Sequence, residues 1–193
     1  MHPLHKVIGE VILEAELPGC RILRDPACGG DHNIPLFCSE NRSNSTEYCD
    51  VDLLILGSDV TPTTEREKVR VIVEIEEADI TPIQICGKFF ACALSPYFTH
   101  EGKKSESVPM ADSVLFVQIL DTSKLKADRS AKMGQWENIE HSIQDAILIK
   151  GSRISRYRLL YGDSNDFTTK GARREQLLDC IRTFLVSARQ RTT

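Results

Sequence analysis

Acidic residues at the ends of two apolar runs are the most chemically suggestive feature of this sequence. The run Cys49–Gly57 (CDVDLLILG) carries Asp50 and Asp52, and the run starting at Val69 (VRVIVEIEE) carries Glu74 and Glu76. Both read as β-strands. Side chains alternate across a strand, so Glu74 and Glu76 share one face with Ile72, while Val71, Val73 and Ile75 take the other. Asp50 and Asp52 likewise share a face with Leu54. An unpaired carboxylate is costly to bury, so these groups must reach solvent, pair with cations or bind metal. Three carboxylates converging on one cleft suit a hard divalent cation, Mg²⁺ or Mn²⁺, which prefers oxygen ligands. The alternative is that the acids are solvated strand ends.

Whether the acids converge depends on the elements around them. The connection between the two runs is short, which favours an antiparallel hairpin. Asp52 at the start of one strand then meets Glu74 near the end of the next. The segment Thr81-Pro82-Ile83-Gln84 has the form of a capping box with proline at the first helical position. A helix is expected from there to about Leu94, stopped by Pro96. It carries Gln84 near its start and Lys88 one turn further on.

This order, a strand with Asp52, a strand with Glu74-Ile75-Glu76 and a helix bearing Gln84, resembles the PD-(D/E)xK nuclease superfamily, the restriction-endonuclease-like proteins. Asp52 matches the lone Asp of that family and Glu74-Ile75-Glu76 its (D/E)-x-K element. Two departures stand out: Glu76 occupies the position where most members have Lys, and Val51 rather than Pro precedes Asp52. Some restriction enzymes use Glu-x-Glu. The resemblance implies Asp52, Glu74 and Glu76 as Mg²⁺ or Mn²⁺ ligands. It implies a catalytic role for Gln84, and a catalytic role for Lys88, which would supply the missing positive charge, as would Lys68 just before the strand. It also implies an acid on the leading helix, for which Glu14 is the candidate against a plain solvated helix acid. The expected activity is metal-dependent hydrolysis of DNA phosphodiester bonds, as in a restriction or repair endonuclease, with a homodimer by analogy. The alternative is a nuclease-like module that binds nucleic acid or protein without catalysis.

The chain's 193 residues suit a single domain over 1–193 with a sizeable core. Leu4–Leu17 has helical apolar spacing ended by Pro18-Gly19. Residues 19–47 read as an irregular, cysteine-containing region with one short strand near CRILR. Phe98–Ala111 reads as a polar loop, and Ser113–Leu120 as a central strand buried on both faces. Met133–Leu148 is expected to be helical, Arg153–Tyr161 a strand and Thr169–Ala188 a closing helix. The whole is an α/β fold, a mixed β-sheet flanked by helices, compatible with a restriction-endonuclease-like core.

Charge is unevenly distributed. Residues 1–145 hold 14 Lys+Arg against 24 Asp+Glu, and residues 146–193 hold 10 against 4. Arg153, Arg156 and Arg158, with Arg42 from the irregular region, are the candidate DNA-phosphate contacts; the alternative is a solvated face. Seven cysteines without a signal-like N-terminus point to reduced thiols in a cytoplasmic protein. Cys28, Cys38 and Cys49, with His32 nearby, are residue types of a structural zinc site, although no Cys-x-x-Cys pair supports one. No apolar run is long enough to span a membrane.

Overall fold

The computed structural model describes residues 3–41, 43–61, 64–78, 80–99, 107–125, 130–147, 149–168 and 171–190. Among the described residues, four helices flank one mixed sheet. In chain order the elements are α1 (Pro3–Glu14), β1 (Cys20–Arg24), β2 (Pro35–Phe37), β3 (Glu47–Asp50), β4 (Leu53–Thr61), β5 (Thr64–Glu76), α2 (Pro82–Ala93), β6 (Tyr97–Thr99), β7 (Ser107–Asp121), α3 (Ser130–Ala146), β8 (Ile154–Gly162) and α4 (Ala172–Gln190). The strand order is β1-β4-β5-β7-β6-β2-β3, with β8 also paired to β7. β5–β7 and β7–β8 are parallel; the remaining pairs are antiparallel.

β4 and β5 form the expected antiparallel hairpin, but it is longer than its apolar residues indicate. Pairing runs from Leu53↔Val73 to Thr61↔Thr64, so the charged stretch around Glu65–Lys68 belongs to the ladder. α2 then carries the chain across to β7, which lies parallel to β5. β7 is the centre of the sheet. One of its edges takes β5; the other takes β6 at its beginning and β8 further along. Its apolar run Val114–Val117 is buried throughout, as a strand covered on both faces requires.

Two apolar layers lie against the sheet. One contains Leu4, Ile8 and Ile12 of α1, Leu177, Ile181 and Phe184 of α4, and the strand residues Leu53, Ile55, Val71, Val73 and Ile75. The other contains Ile85 and Phe89 of α2, Trp136 and Ile143 of α3, and Leu54, Ile72 and Phe116. The alternation read along β5 therefore holds: Val71, Val73 and Ile75 face one layer and Ile72 the other.

Three expectations about organisation need correction. Asp50 and Asp52 do not share a face of one strand, because the run breaks at Val51-Asp52: Asp50 ends β3, which pairs with β2, and β4 begins at Leu53. The region 19–47 contains a second strand, β2. The segment 98–111 contains β6 and the start of β7 rather than loop alone. These strands are short or polar, and their pairing comes from distant partners rather than from local alternation.

Candidate active site

The hairpin register creates the site. With Leu53 opposite Val73, Asp52 at the mouth of β4 comes beside Glu74 on β5. Across the parallel pairing Glu74 is level with Gln118 of β7, and Glu76 is level with Leu120. One end of the three strands therefore gathers Asp52, Glu74, Glu76 and Gln118.

Asp52 is held by the backbone and by α1. Its Oδ2 accepts the Ile75 N–H at 2.6 Å, and its Oδ1 lies 3.5 Å from His5 Nε2. His5 Nδ1 lies 3.5 Å from Glu77 Oε1. Glu77 in turn accepts the Leu4 and His5 amides, two of the N–H groups that a helix start leaves unsatisfied. The imidazole is thus flanked by two carboxylates. Burial opposes its charging, but the hydrogen bond and charge of Asp52, together with Glu77, outweigh it and raise the His5 pKa above its ordinary 6.5.

Glu74 is enclosed, with 1 % of its surface exposed. Burial pushes its pKa well above the carboxylate range and Asp52 pushes it further, against the pull of Lys88. Lys88 Nζ sits 3.3 Å from Glu74 Oε2 and 3.5 Å from the Asp50 carbonyl. Burial weakens the lysine's hold on its proton, but Glu74, Glu76 and Asp52 together raise its pKa, so it stays cationic. Burial also raises Glu76, against Lys88; Asp52 adds to the rise, while His5 and Gln118 oppose it.

Two buried acceptors here, Glu74 Oε1 and Glu76 Oε1, have no hydrogen-bond partner among the described residues. The Gln118 amide nitrogen lies next to Glu76 yet closes no bond of normal geometry, while its carbonyl accepts from the Tyr157 hydroxyl at 2.8 Å. Buried polar atoms left open at one spot are where a proton, water or ion belongs. The open acceptors are carboxylate oxygens, the ligand chemistry of Mg²⁺ or Mn²⁺. Among the described residues no three His, Cys, Asp or Glu side chains are already disposed around a common metal position, so a cation would have to draw the carboxylates together.

The structure thus brings together Asp52, Glu74, Glu76 and Lys88 and leaves other candidates apart. Gln84 is exposed, and its side chain closes the capping box of α2, accepting from the Thr81 amide at 3.1 Å and the Thr81 hydroxyl at 2.9 Å. Glu14 is exposed at the far end of α1. It follows His5 by nine residues, about 13 Å along the helix axis. Arg153 lies beside Val114, four residues or about 13 Å along β7 from Gln118, and pairs with Asp112 at 2.6 Å. Arg158 lies 3.4 Å from Glu140, and Arg156 lies over the Phe184 ring. The arginines of β8 are therefore engaged with side chains of α3 and α4. Arg42 falls outside the described residues. Cys28 lies in the layer of α1 and α4, where Gly9 admits its carbonyl: a Cβ on Gly9 would stand 2.2 Å from that oxygen. Cys49 packs in the opposite layer, so the sheet separates two of the three proposed zinc ligands.

His5 and Gln118 were not singled out from the sequence. Gln118 had a usable signal, as the one polar residue in the run Val114–Leu120 (VLFVQIL); His5 had none, because only the docking of α1 brings it to Asp52. Comparison with family models, with curated proteins and with solved structures finds no match to this chain.

Proposed function

We propose that this chain is a divalent-metal-dependent endonuclease that hydrolyses DNA phosphodiester bonds on a restriction-endonuclease-like core. The observation that carries the reading is Lys88. The family's usual lysine is replaced by Glu76 on β5, and an ammonium group from α2 reaches the same acids, 3.3 Å from Glu74. Support also comes from the element order: a leading helix, an antiparallel run β1-β4-β5 holding the acids, a crossover helix and the parallel β7.

In this reading Asp52, Glu74 and Glu76 would hold Mg²⁺ or Mn²⁺, which would polarise the scissile phosphate and make its bound water more acidic. The protein's own groups supply the rest. The Ile75 N–H and His5 fix the orientation of Asp52. Lys88 offers positive charge to the phosphoryl oxygens as negative charge builds there. Glu76, its proton affinity raised by burial, would act as the general base for the attacking water where it does not itself ligate the metal. DNA is the substrate class, and a homodimer is the expected assembly by family analogy.

The test is calorimetric titration of Mg²⁺ and Mn²⁺ into wild type, Asp52→Ala/Glu74→Ala and Lys88→Ala, followed by plasmid nicking on the same samples. Wild type should bind metal and nick only with it. The double variant should lose both. Lys88→Ala should keep metal binding and lose roughly 10²–10³-fold in nicking rate, the usual cost of removing one group that stabilises transition-state charge. Nicking by the double variant at the wild-type rate would refute the assignment. Metal binding without nicking in wild type would point instead to a non-catalytic nuclease-like module.

A further inference from the structure

Beside the acidic site two sulfur atoms from distant parts of the chain touch. Cys49 Sγ on β3 and Cys92 Sγ on α2 are 3.7 Å apart, although the residues are separated by 43 positions. Cys92 is fully buried; Cys49 keeps partial access to solvent. Cys92 stands one helical turn beyond Lys88, on the same side of α2. The residue after Cys49 is Asp50, whose carbonyl lies 3.5 Å from Lys88 Nζ. The thiol pair and the Lys88 contact therefore bridge the same junction between β3 and α2.

From this geometry we propose that Cys49 and Cys92 form an oxidative modification site, a dithiol that hydrogen peroxide converts to a disulfide stapling β3 to α2. The inference goes beyond the nuclease reading and does not depend on it. A disulfide needs its sulfurs about 2 Å apart, so closing the pair takes less than 2 Å of movement of the sulfur atoms. The two thiols have different roles. The Cys92 contact favours ionisation of Cys49 against the opposing effect of burial, and Lys88 favours it too. Burial holds Cys92 in its neutral form. Cys49 is accordingly the attacking thiolate and Cys92 the resolving thiol.

The reaction balances as follows. The Cys49 thiolate attacks one peroxide oxygen, the O–O bond breaks, and the displaced hydroxide takes a proton to become water. The product is a Cys49 sulfenic acid. The Cys92 sulfur attacks the Cys49 sulfur, the S–S bond forms, and the S–O bond breaks. The hydroxide that leaves takes the Cys92 proton. Both thiols are oxidised, and one peroxide is reduced to two waters.

The test treats the full chain with a few equivalents of hydrogen peroxide, removes the excess with catalase and alkylates in denaturant with N-ethylmaleimide. Intact mass and non-reduced peptide mapping follow. Wild type should show two fewer alkylated cysteines than the seven of the reduced chain, and a Cys49–Cys92 cross-linked peptide that dithiothreitol abolishes. The oxidised protein should also melt at a higher temperature than the reduced one. Cys49→Ser and Cys92→Ala should each fail to form the cross-link. Since Cys92→Ala alters a buried position, the wild-type map decides the matter if that variant does not fold. Seven alkylated cysteines after treatment, a cross-link between another pair, or a Cys49 sulfinic acid without the bond would each overturn the proposal.

Discussion

Glu74 holds its carboxyl group where water scarcely reaches, and that has a measurable consequence. Its pKa in the folded protein lies well above the ordinary 4.5, first through burial and then through Asp52. The folded protein therefore keeps a proton that the unfolded chain releases once the pH passes 4.5. Stability falls as pH rises from there toward the folded-state value, at up to about 1.4 kcal/mol per pH unit for one proton. Glu76 acts in the same direction, as does His5 once the pH passes 6.5, because its folded pKa is also raised. Glu74→Gln removes one of these contributions and keeps the shape. Urea denaturation between about pH 5 and pH 8 should show wild type losing stability with pH more steeply than Glu74→Gln. Parallel profiles would mean that Glu74 is ionised in the folded protein throughout that range.

At the scale of the element, α2 is the helix on which the site depends, because it delivers Lys88. Its start is secured by the reciprocal Thr81–Gln84 capping box with Pro82 in the first turn. Its inner face, Ile85, Phe89 and Cys92, is buried against the sheet, leaving Lys88 at the border of that face to reach Glu74. Thr81→Ala removes the cap and should destabilise the protein by about 1 kcal/mol in urea denaturation. An unchanged midpoint would show that water satisfies those amides equally well. The capping box was readable from four consecutive residues, since its partners are three positions apart. By contrast, the break between β3 and β4 was not readable. Val51-Asp52 continues the alternation of its neighbours, and distant partners set it apart: the Ile75 amide and His5 on the Asp52 side chain, the Asp25 N–H on its carbonyl and the Ile34 carbonyl on the Val51 N–H.

For the whole molecule, β7 contributes to both apolar layers, with Leu115, Val117 and Ile119 in one and Val114, Phe116 and Leu120 in the other. Phe89 of α2 packs edge-to-face on Phe116 of β7 and Tyr157 of β8, with ring centroids 5.9 and 5.5 Å apart. Phe89→Ala should cost about 3–5 kcal/mol, a large share of the stability of a domain this size. The single tryptophan, Trp136, is buried in the same layer and reports on it by fluorescence. Far-UV circular dichroism reports on all the helices and strands. The two denaturation midpoints should coincide in wild type and shift together in Phe89→Ala. Separate midpoints would show that the α2–α3 layer unfolds independently of the rest.

Local patterns sufficed for the four helices, the β4–β5 hairpin, the central strand β7 and the acids most worth testing. Each of these rests on apolar periodicity or on chemistry between residues a few positions apart, and such information is written in the order of the chain. The short strands β2 and β6 and the engagement of the β8 arginines rest on partners dozens of residues away. So does the convergence of His5, Lys88 and Gln118 on the acids. α1 lies in one layer and α2 in the other, and each sends one side chain to the same end of the sheet. Docking both layers on a sheet of fixed register brings an imidazole, an ammonium group and three carboxylates to one place, and no stretch of sequence contains that juxtaposition.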